Sequence, residues 1–249
     1  HATGTNRDRE AACAVDAAGG VPEIVHVNAL RADPARLHTY QMLILPGGFS
    51  YGDDLGAGRL WATDLRWLFH DELARFVDAF KPVLGICNGF QALVKSGWLP
   101  GPSGDGARAT LTRNASNRFE CRWVSLRPDP ASPCVFTRGL DELVYCPVAH
   151  GEGRFVPADP AALRRLQECK QVALTYAGAD GGVALYPDNP NGSVAGIAGI
   201  CNERGNVLGL MPHPENHIHP AQHPRWTRGE AGHLGLPLFV QGMQYAREL

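Results

Sequence analysis

The sequence predicts an α/β fold built on a doubly wound, mostly parallel sheet, with antiparallel strands added by the second half of the chain. Three observations carry this expectation. Short apolar runs alternate with helical periodicity through the first hundred residues, as in a parallel sheet covered on both faces. Most of these runs stop at a glycine or proline turn. From Thr110 onward further apolar runs follow one another with few helices between them, a pattern of hairpins and meanders.

Asp8 to Ala18 carries Ala and Val at helical spacing and stops at Gly19-Gly20, so a helix opens the readable chain. Glu23 to Asn28 and Gln41 to Leu45 are short β-rich runs and are read as strands, the second ending at Pro46-Gly47-Gly48. Between Asp64 and Phe80 apolar residues recur every three or four positions, with Asp64 placed as N-cap, which predicts one long helix. Pro82 to Ile86 reads as a buried strand, and Asn88 to Ser96 as a helix closing at Gly97. Further strands are expected over 120–126, 143–149, 171–176, 194–200 and 206–210, surface loops over Arg127 to Pro133 and Gly181 to Gly192, and an amphipathic helix over Leu238 to Glu248. With no repeat or low-complexity tract, one domain spanning 1–249 is expected.

Composition narrows the function. The 249 residues are 44% hydrophobic and 19% charged, which suits a water-soluble globular fold. Glycine (29) and proline (19) together exceed the usual share, implying many tight turns. A net charge of -2 argues against an electrostatic nucleic-acid binder or a polybasic membrane anchor, and points to a small ligand. The sequence has neither a span-length apolar run nor a signal-peptide core, so a cytoplasmic address is expected. The seven cysteines form no C-x-x-C pair, so neither a disulfide framework nor a thiolate metal site is indicated. The histidines at 213, 217, 219, 223 and 233 complete no familiar ligand spacing and are expected to be mostly solvated in a loop; no metal or cofactor is assigned.

The chemistry concentrates in Gly85-Ile86-Cys87-Asn88-Gly89-Phe90-Gln91. A cysteine between a buried strand and a helix, with glycine two residues away on each side, has the layout of a nucleophile elbow. The helix N-terminus beside it offers partial positive charge and free N–H groups, which favour a thiolate and a developing oxyanion. Such a thiol needs a histidine as base and acid, and a third group to hold the ring. His213 follows an apolar strand at a sharp stop, and Glu215, two residues later, shares its face in extended chain. The glycine-rich stretch from Gly47 to Asp54 lacks a nucleotide-binding pattern; its expected use is to aim a backbone N–H, that of Gly48, at an oxyanion beside Cys87.

With its P-G-G loop, G-x-C-x-G-x-Q elbow and late H-P-E, the chain resembles the class I, triad-type glutamine amidotransferases. The blocks F-S-Y-G-D-D-L (49–55), N-A-S-N-R-F-E-C-R-W-V (114–124), A-H-G-E-G-R-F (149–155) and G-I-C-N-E-R-G-N-V-L-G-L-M-P-H-P-E (199–215) are similar to the glutaminase component of phosphoribosylformylglycinamidine synthases. The resemblance implies a flavodoxin-like sheet and a Cys87, His213 and Glu215 triad acting on L-glutamine. It places the N–H groups of Gly48 and Asn88 in the oxyanion hole, and Gln91 and Phe49 around the substrate. His150 and Glu152 fall in a segment lining the glutamine site or the synthetase contact. It further implies that ammonia passes to a separate large synthetase subunit, which holds ATP and magnesium, commonly with a small third subunit.

The chain also departs from that family. An apolar strand normally precedes G-T-N-x-D-x-E; here only His1-Ala2-Thr3 stand before Gly4, so a first strand is expected to be missing or shortened and two inner sheet edges exposed. Arg7 occupies a usual Cys position, and Asn216 a usual Arg position. A stand-alone cysteine hydrolase or deglycase, and a non-enzymatic binding module, are the alternative readings. The hydrolase relatives usually place His directly after the elbow Cys, where this chain has Asn88.

Overall fold

The computed structural model describes residues 1–101, 108–178, 182 and 184–249. Its first half is built from α1 (Asp8–Ala17), α2 (Val27–Ala32), β1 (Leu43–Leu45), α3 (Arg59–Trp67), α4 (His70–Asp78), β2 (Val83–Ile86) and α5 (Asn88–Ser96). The second half contributes β3 (Ala109–Thr112), β4 (Glu120–Pro128), β5 (Val144–His150), β6 (Arg154–Pro157), α6 (Pro160–Glu168), β7 (Val172–Ala177), β8 (Ile197–Cys201), β9 (Val207–Leu210) and α7 (Leu236–Arg247). Seven strands form one mixed sheet in the order β1-β2-β9-β8-β7-β4-β5, while β3 and β6 pair separately. Parallel pairing is confined to β1, β2 and β9, and the remaining neighbours are antiparallel. The α/β class is therefore as expected, with the parallel part concentrated at the edge that carries the elbow.

β2 and β9 are buried on both faces, which explains their continuous apolar sequences. Their carboxyl ends lie side by side, Ile86 opposite Leu210, so the residues that follow them in sequence emerge together at one end of the sheet. Cys87 follows the first, and Met211-Pro212-His213 the second. Phe90 and Leu93 of α5 and Phe76 of α4 are fully buried in the same core.

Two local expectations fail. Residues 23–28 do not form a strand: 19–26 run without regular structure and Val27 already opens α2. A strand needs an edge to pair with, and the free edge of β1 lies across a cavity of about 560 Å³ lined in part by Val15, Val21, Ile24, Met42, Ile44 and Met243. His1 holds the main chain of this segment, donating from its amino group to the Val25 carbonyl at 2.6 Å and accepting from the Val27 N–H at 2.9 Å, while Arg36 and Tyr40 bond to the Glu23 carboxylate. No strand precedes β1 among the described residues. The second failure is the single helix over 64–80, which is two helices. α3 begins earlier, after Gly58, so Asp64 is interior and its side chain accepts from the Tyr51 hydroxyl rather than capping. The chain breaks at Leu68–Phe69, turning Phe69, Leu73 and Phe76 into the core while Leu68 stays largely exposed.

The expected strand over 194–200 is shorter, because Val194–Gly196 form a 3₁₀ turn before β8. Of the loop expected over Gly181 to Gly192, Gly181 and Val183 lie outside the described residues. Among the described residues no helix is long and apolar enough to cross a membrane.

Candidate active site

Cys87 sits between β2 and α5 at φ 50° and ψ -102°, a backbone conformation that an L residue holds only when its surroundings force it. Three hydrogen bonds do so in part: Cys87 N–H donates to Leu210 O at 2.8 Å, Gln91 N–H to Cys87 O at 3.0 Å, and the thiol to Ala149 O at 3.9 Å. The flanking glycine is a packing requirement as well as a turn residue. A Cβ on Gly89 would lie 2.6 Å from the Leu45 carbonyl carbon and closer still to its oxygen, so only glycine lets α5 pass the end of β1.

His213 and Glu215 arrive from the neighbouring strand. His213 N–H donates to Pro147 O at 2.8 Å, and the ring Nδ1 lies 2.6 Å from Glu215 Oε1. Both side chains are almost completely buried, at 4% and 0% exposure. Burial alone would press the imidazole toward its neutral form. The charges of Glu215 and Cys87 outweigh it and carry the His213 pKa up to about 10. With Nδ1–H directed at the carboxylate, Nε2 is the nitrogen left for proton transfer with the thiol. Gly47 makes room for this ring: a Cβ there would stand 2.6 Å from His213 Cε1.

The Gly47–Gly48 loop is held from the amino-terminal side. Asn6 and Arg7 N–H groups donate to Gly47 O, and Phe49 N–H donates to Gly4 O at 3.0 Å. These bonds leave the Gly48 N–H out of the ladder, as the start of α5 leaves the Asn88 N–H without an intrahelical acceptor. On the elbow side, Ser50 N–H donates to Asn88 Oδ1 at 3.0 Å. Gln91 is buried in the first turns of α5; its Nε2 donates to Glu152 O at 2.7 Å and its Oε1 accepts from Asn88 Nδ2 at 3.1 Å. Phe49 projects outward, 46% exposed, next to Gly48.

His150 and Glu152 have different surroundings. The His150 ring is buried, with Nδ1 3.2 Å from Asn114 Oδ1 and Nε2 3.4 Å from Asn191 Nδ2. Both ring nitrogens are thus engaged, and burial followed by the charge of His213 lowers its pKa to about 4. It is a neutral prop for the 149–153 segment. The Glu152 side chain accepts from Ala57 N–H at 3.3 Å and lies 3.8 Å from Lys95 Nζ, pinning that segment to the loop before α3.

Sequence reasoning gave no role to Asp53, Asn114 or Asn191. Asp53 Oδ1 accepts from Asn88 Nδ2 at 2.9 Å and from Gly58 N–H at 3.4 Å. Asn114 bonds to His150, Gly153 and Arg118. Asp53 and Asn114 lie within the long sequence blocks noted above, and these blocks were the available signal. The histidine-rich segment also differs from expectation. His217 and His223 are buried, with rings packed against Trp123 and Tyr145 and 5.7 Å from each other. No group of three or more metal-ligating side chains occurs among the described residues.

The chain is similar in sequence and in fold to known proteins. The CobB/CobQ-like glutamine amidotransferase domain matches residues 1–246. Phosphoribosylformylglycinamidine synthase subunit PurQ of Treponema denticola is 49% identical, over 98% of this chain and 96% of its own length. The subunit of the same name from Dehalococcoides mccartyi is 46% identical, over 99% and 95%. Among solved structures, PurLQS from Thermotoga maritima superposes with a TM-score of 0.74 at 33% identity, covering 98% of this chain and 95% of that one. The chain belongs to the CobB/CobQ-like glutamine amidotransferase domain family.

Proposed function

We propose that the chain is the glutaminase subunit of a phosphoribosylformylglycinamidine synthase, working as one amidotransferase domain in the cytoplasm, where a nucleophilic thiol stays reduced. The observation that carries the reading is the buried His213–Glu215 pair brought by β9 to the elbow cysteine that follows β2. Cys87 Sγ, its proton already held by His213, adds as a thiolate to the side-chain amide carbon of L-glutamine. The N–H groups of Gly48 and Asn88 receive the negative charge that develops on the carbonyl oxygen. His213 then gives the proton to the departing nitrogen, releasing ammonia and leaving a Cys87 thioester. Water activated by the same ring cleaves the thioester to glutamate and restores the thiol. Gln91, Phe49 and Glu152 surround the bound glutamine, and His150 supports the segment that carries Glu152.

Ammonia is consumed on a large synthetase subunit, where ATP and magnesium act to convert formylglycinamide ribonucleotide to formylglycinamidine ribonucleotide; a small third subunit completes the complex. The relatives named as subunits of that synthase, and the similarity to a PurLQS structure, support this assignment. The test separates the two nitrogen sources. In the complex, Cys87→Ala is expected to lower glutamine-dependent synthesis at least about 1000-fold while ammonia-dependent synthesis stays within about twofold. Loss of both activities, or retention of both, would overturn the reading.

A further inference from the structure

Resting on the glutaminase reading, the geometry points to the Asn88 side chain as a positioning residue for the oxyanion hole. Its carboxamide ties the loop carrying Gly48 to the first turn of α5, and so sets the gap between the two donors. Asn88 is 1% exposed, and its side chain is engaged at both ends. Oδ1 accepts from Ser50 N–H at 3.0 Å, while Nδ2 donates to Asp53 Oδ1 at 2.9 Å and Gln91 Oε1 at 3.1 Å. Ser50 lies two residues beyond Gly48, and the Asn88 main chain supplies the other donor. One side chain therefore bridges the two halves of the hole.

The loop needs such a tie. Tyr51, Asp53 and Leu55 sit at φ 54°, 56° and 63°, a left-handed region that residues other than glycine hold only under outside constraint. Leu55 is 75% exposed and anchors nothing in the core. From the amino-terminal side the loop is held by main chain, Tyr51 N–H to Thr3 O and Phe49 N–H to Gly4 O. On the elbow side the tie is Asn88. The partner carboxylate is half-buried: burial raises the Asp53 pKa, and the N–H donors of Gly58 and Asn88 pull it back. A donor displaced by about 1 Å can lower a rate about 100-fold.

The test swaps the polarity of the Asn88–Asp53 bond. Asn88→Asp keeps an acceptor for Ser50 but sets two carboxylates face to face. In complex with the synthetase it is expected to lower kcat for glutamine hydrolysis about 100-fold, with KM changed less than about threefold. Alkylation of Cys87 by iodoacetamide, read on the Cys87 peptide by mass, should stay within about twofold, because that reaction needs the thiol but not the oxyanion hole. Adding Asp53→Asn returns an N–H donor to the pair and should recover at least about tenfold in kcat. The proposal is overturned if Asn88→Asp keeps kcat within about twofold of the parent, if alkylation falls in step with kcat, or if the double variant is no better than the single one. A parent complex that hydrolyses no glutamine overturns the glutaminase reading itself, and this proposal with it.

Discussion

Two margins of the short parallel segment formed by β1, β2 and β9, its carboxyl end and the outer edge of β1, are built to different tolerances. At the carboxyl end, Gly89 passes against the Leu45 carbonyl, Gly47 against the His213 ring, and the Asn88 side chain donates to that of Gln91, which in turn donates to the Glu152 main-chain carbonyl. At the outer edge of β1, residues 19–26 have no ladder, Val21 is 98% exposed, and a cavity of about 560 Å³ separates the segment from Met42 and Ile44. The same sheet thus carries one region where a methyl group has no room and another where a side chain has no neighbour. The difference teaches where the chain leaves no slack, since the tight end is the end that holds the proposed Cys87, His213 and Glu215 triad.

The comparison can be broken by adding one methyl group at each end. Gly89→Ala is expected to destabilise the protein by at least about 3 kcal/mol, because the new Cβ meets main chain that cannot move without shifting β1. Gly20→Ala places a Cβ 2.7 to 3.0 Å from the tips of Val15 and Met243, flexible ends beside the cavity. It should change stability by less than about 1 kcal/mol. Denaturant unfolding of the two variants measures both, and equal effects would erase the distinction.

A pH-dependent effect comes from the two buried histidines of the tight end, which load opposite flanks of the pH profile. The folded-state pKa of His150, about 4, lies below its ordinary value, so the unfolded chain binds the proton first. Stability should therefore fall as pH drops from about 6.5 toward 4, by on the order of 3 kcal/mol. The pKa of His213, about 10, lies above its ordinary value. Its contribution is complete below about pH 6.5 and is lost as pH rises through about 10. Glu215→Gln removes the carboxylate that helps hold the proton, and should move the alkaline loss to lower pH in a thermal-unfolding series.

The legibility of the sequence follows the same division. β2, the elbow and α5 could be read because glycine spacing, a continuous apolar run and helical periodicity all agreed over sixteen residues, 82–97. Residues 23–28 misled because β-propensity records only what a segment would do beside a partner edge, and that edge is across a cavity here. The break at Leu68–Phe69 was invisible because apolar periodicity continues through it; only tertiary packing shows that the two halves face the core separately. His217 and His223 were expected in solvent because their neighbours in sequence are polar, whereas their neighbours in space are Trp123 and Tyr145. His213 and Glu215 needed only the order of residues in one short motif, but the engagement of both His150 ring nitrogens required knowing where Asn114 and Asn191 fold.

The most direct measurement of the central claim is covalent trapping at the elbow. Incubated with the glutamine-mimicking electrophile diazo-oxo-norleucine in the presence of the synthetase, the chain should gain one adduct, carried by the Cys87 peptide, and glutamine should protect against it. Exposed Cys13, Cys121 and Cys169 should stay unmodified. Modification of those thiols with Cys87 left intact would contradict a glutamine site at the elbow.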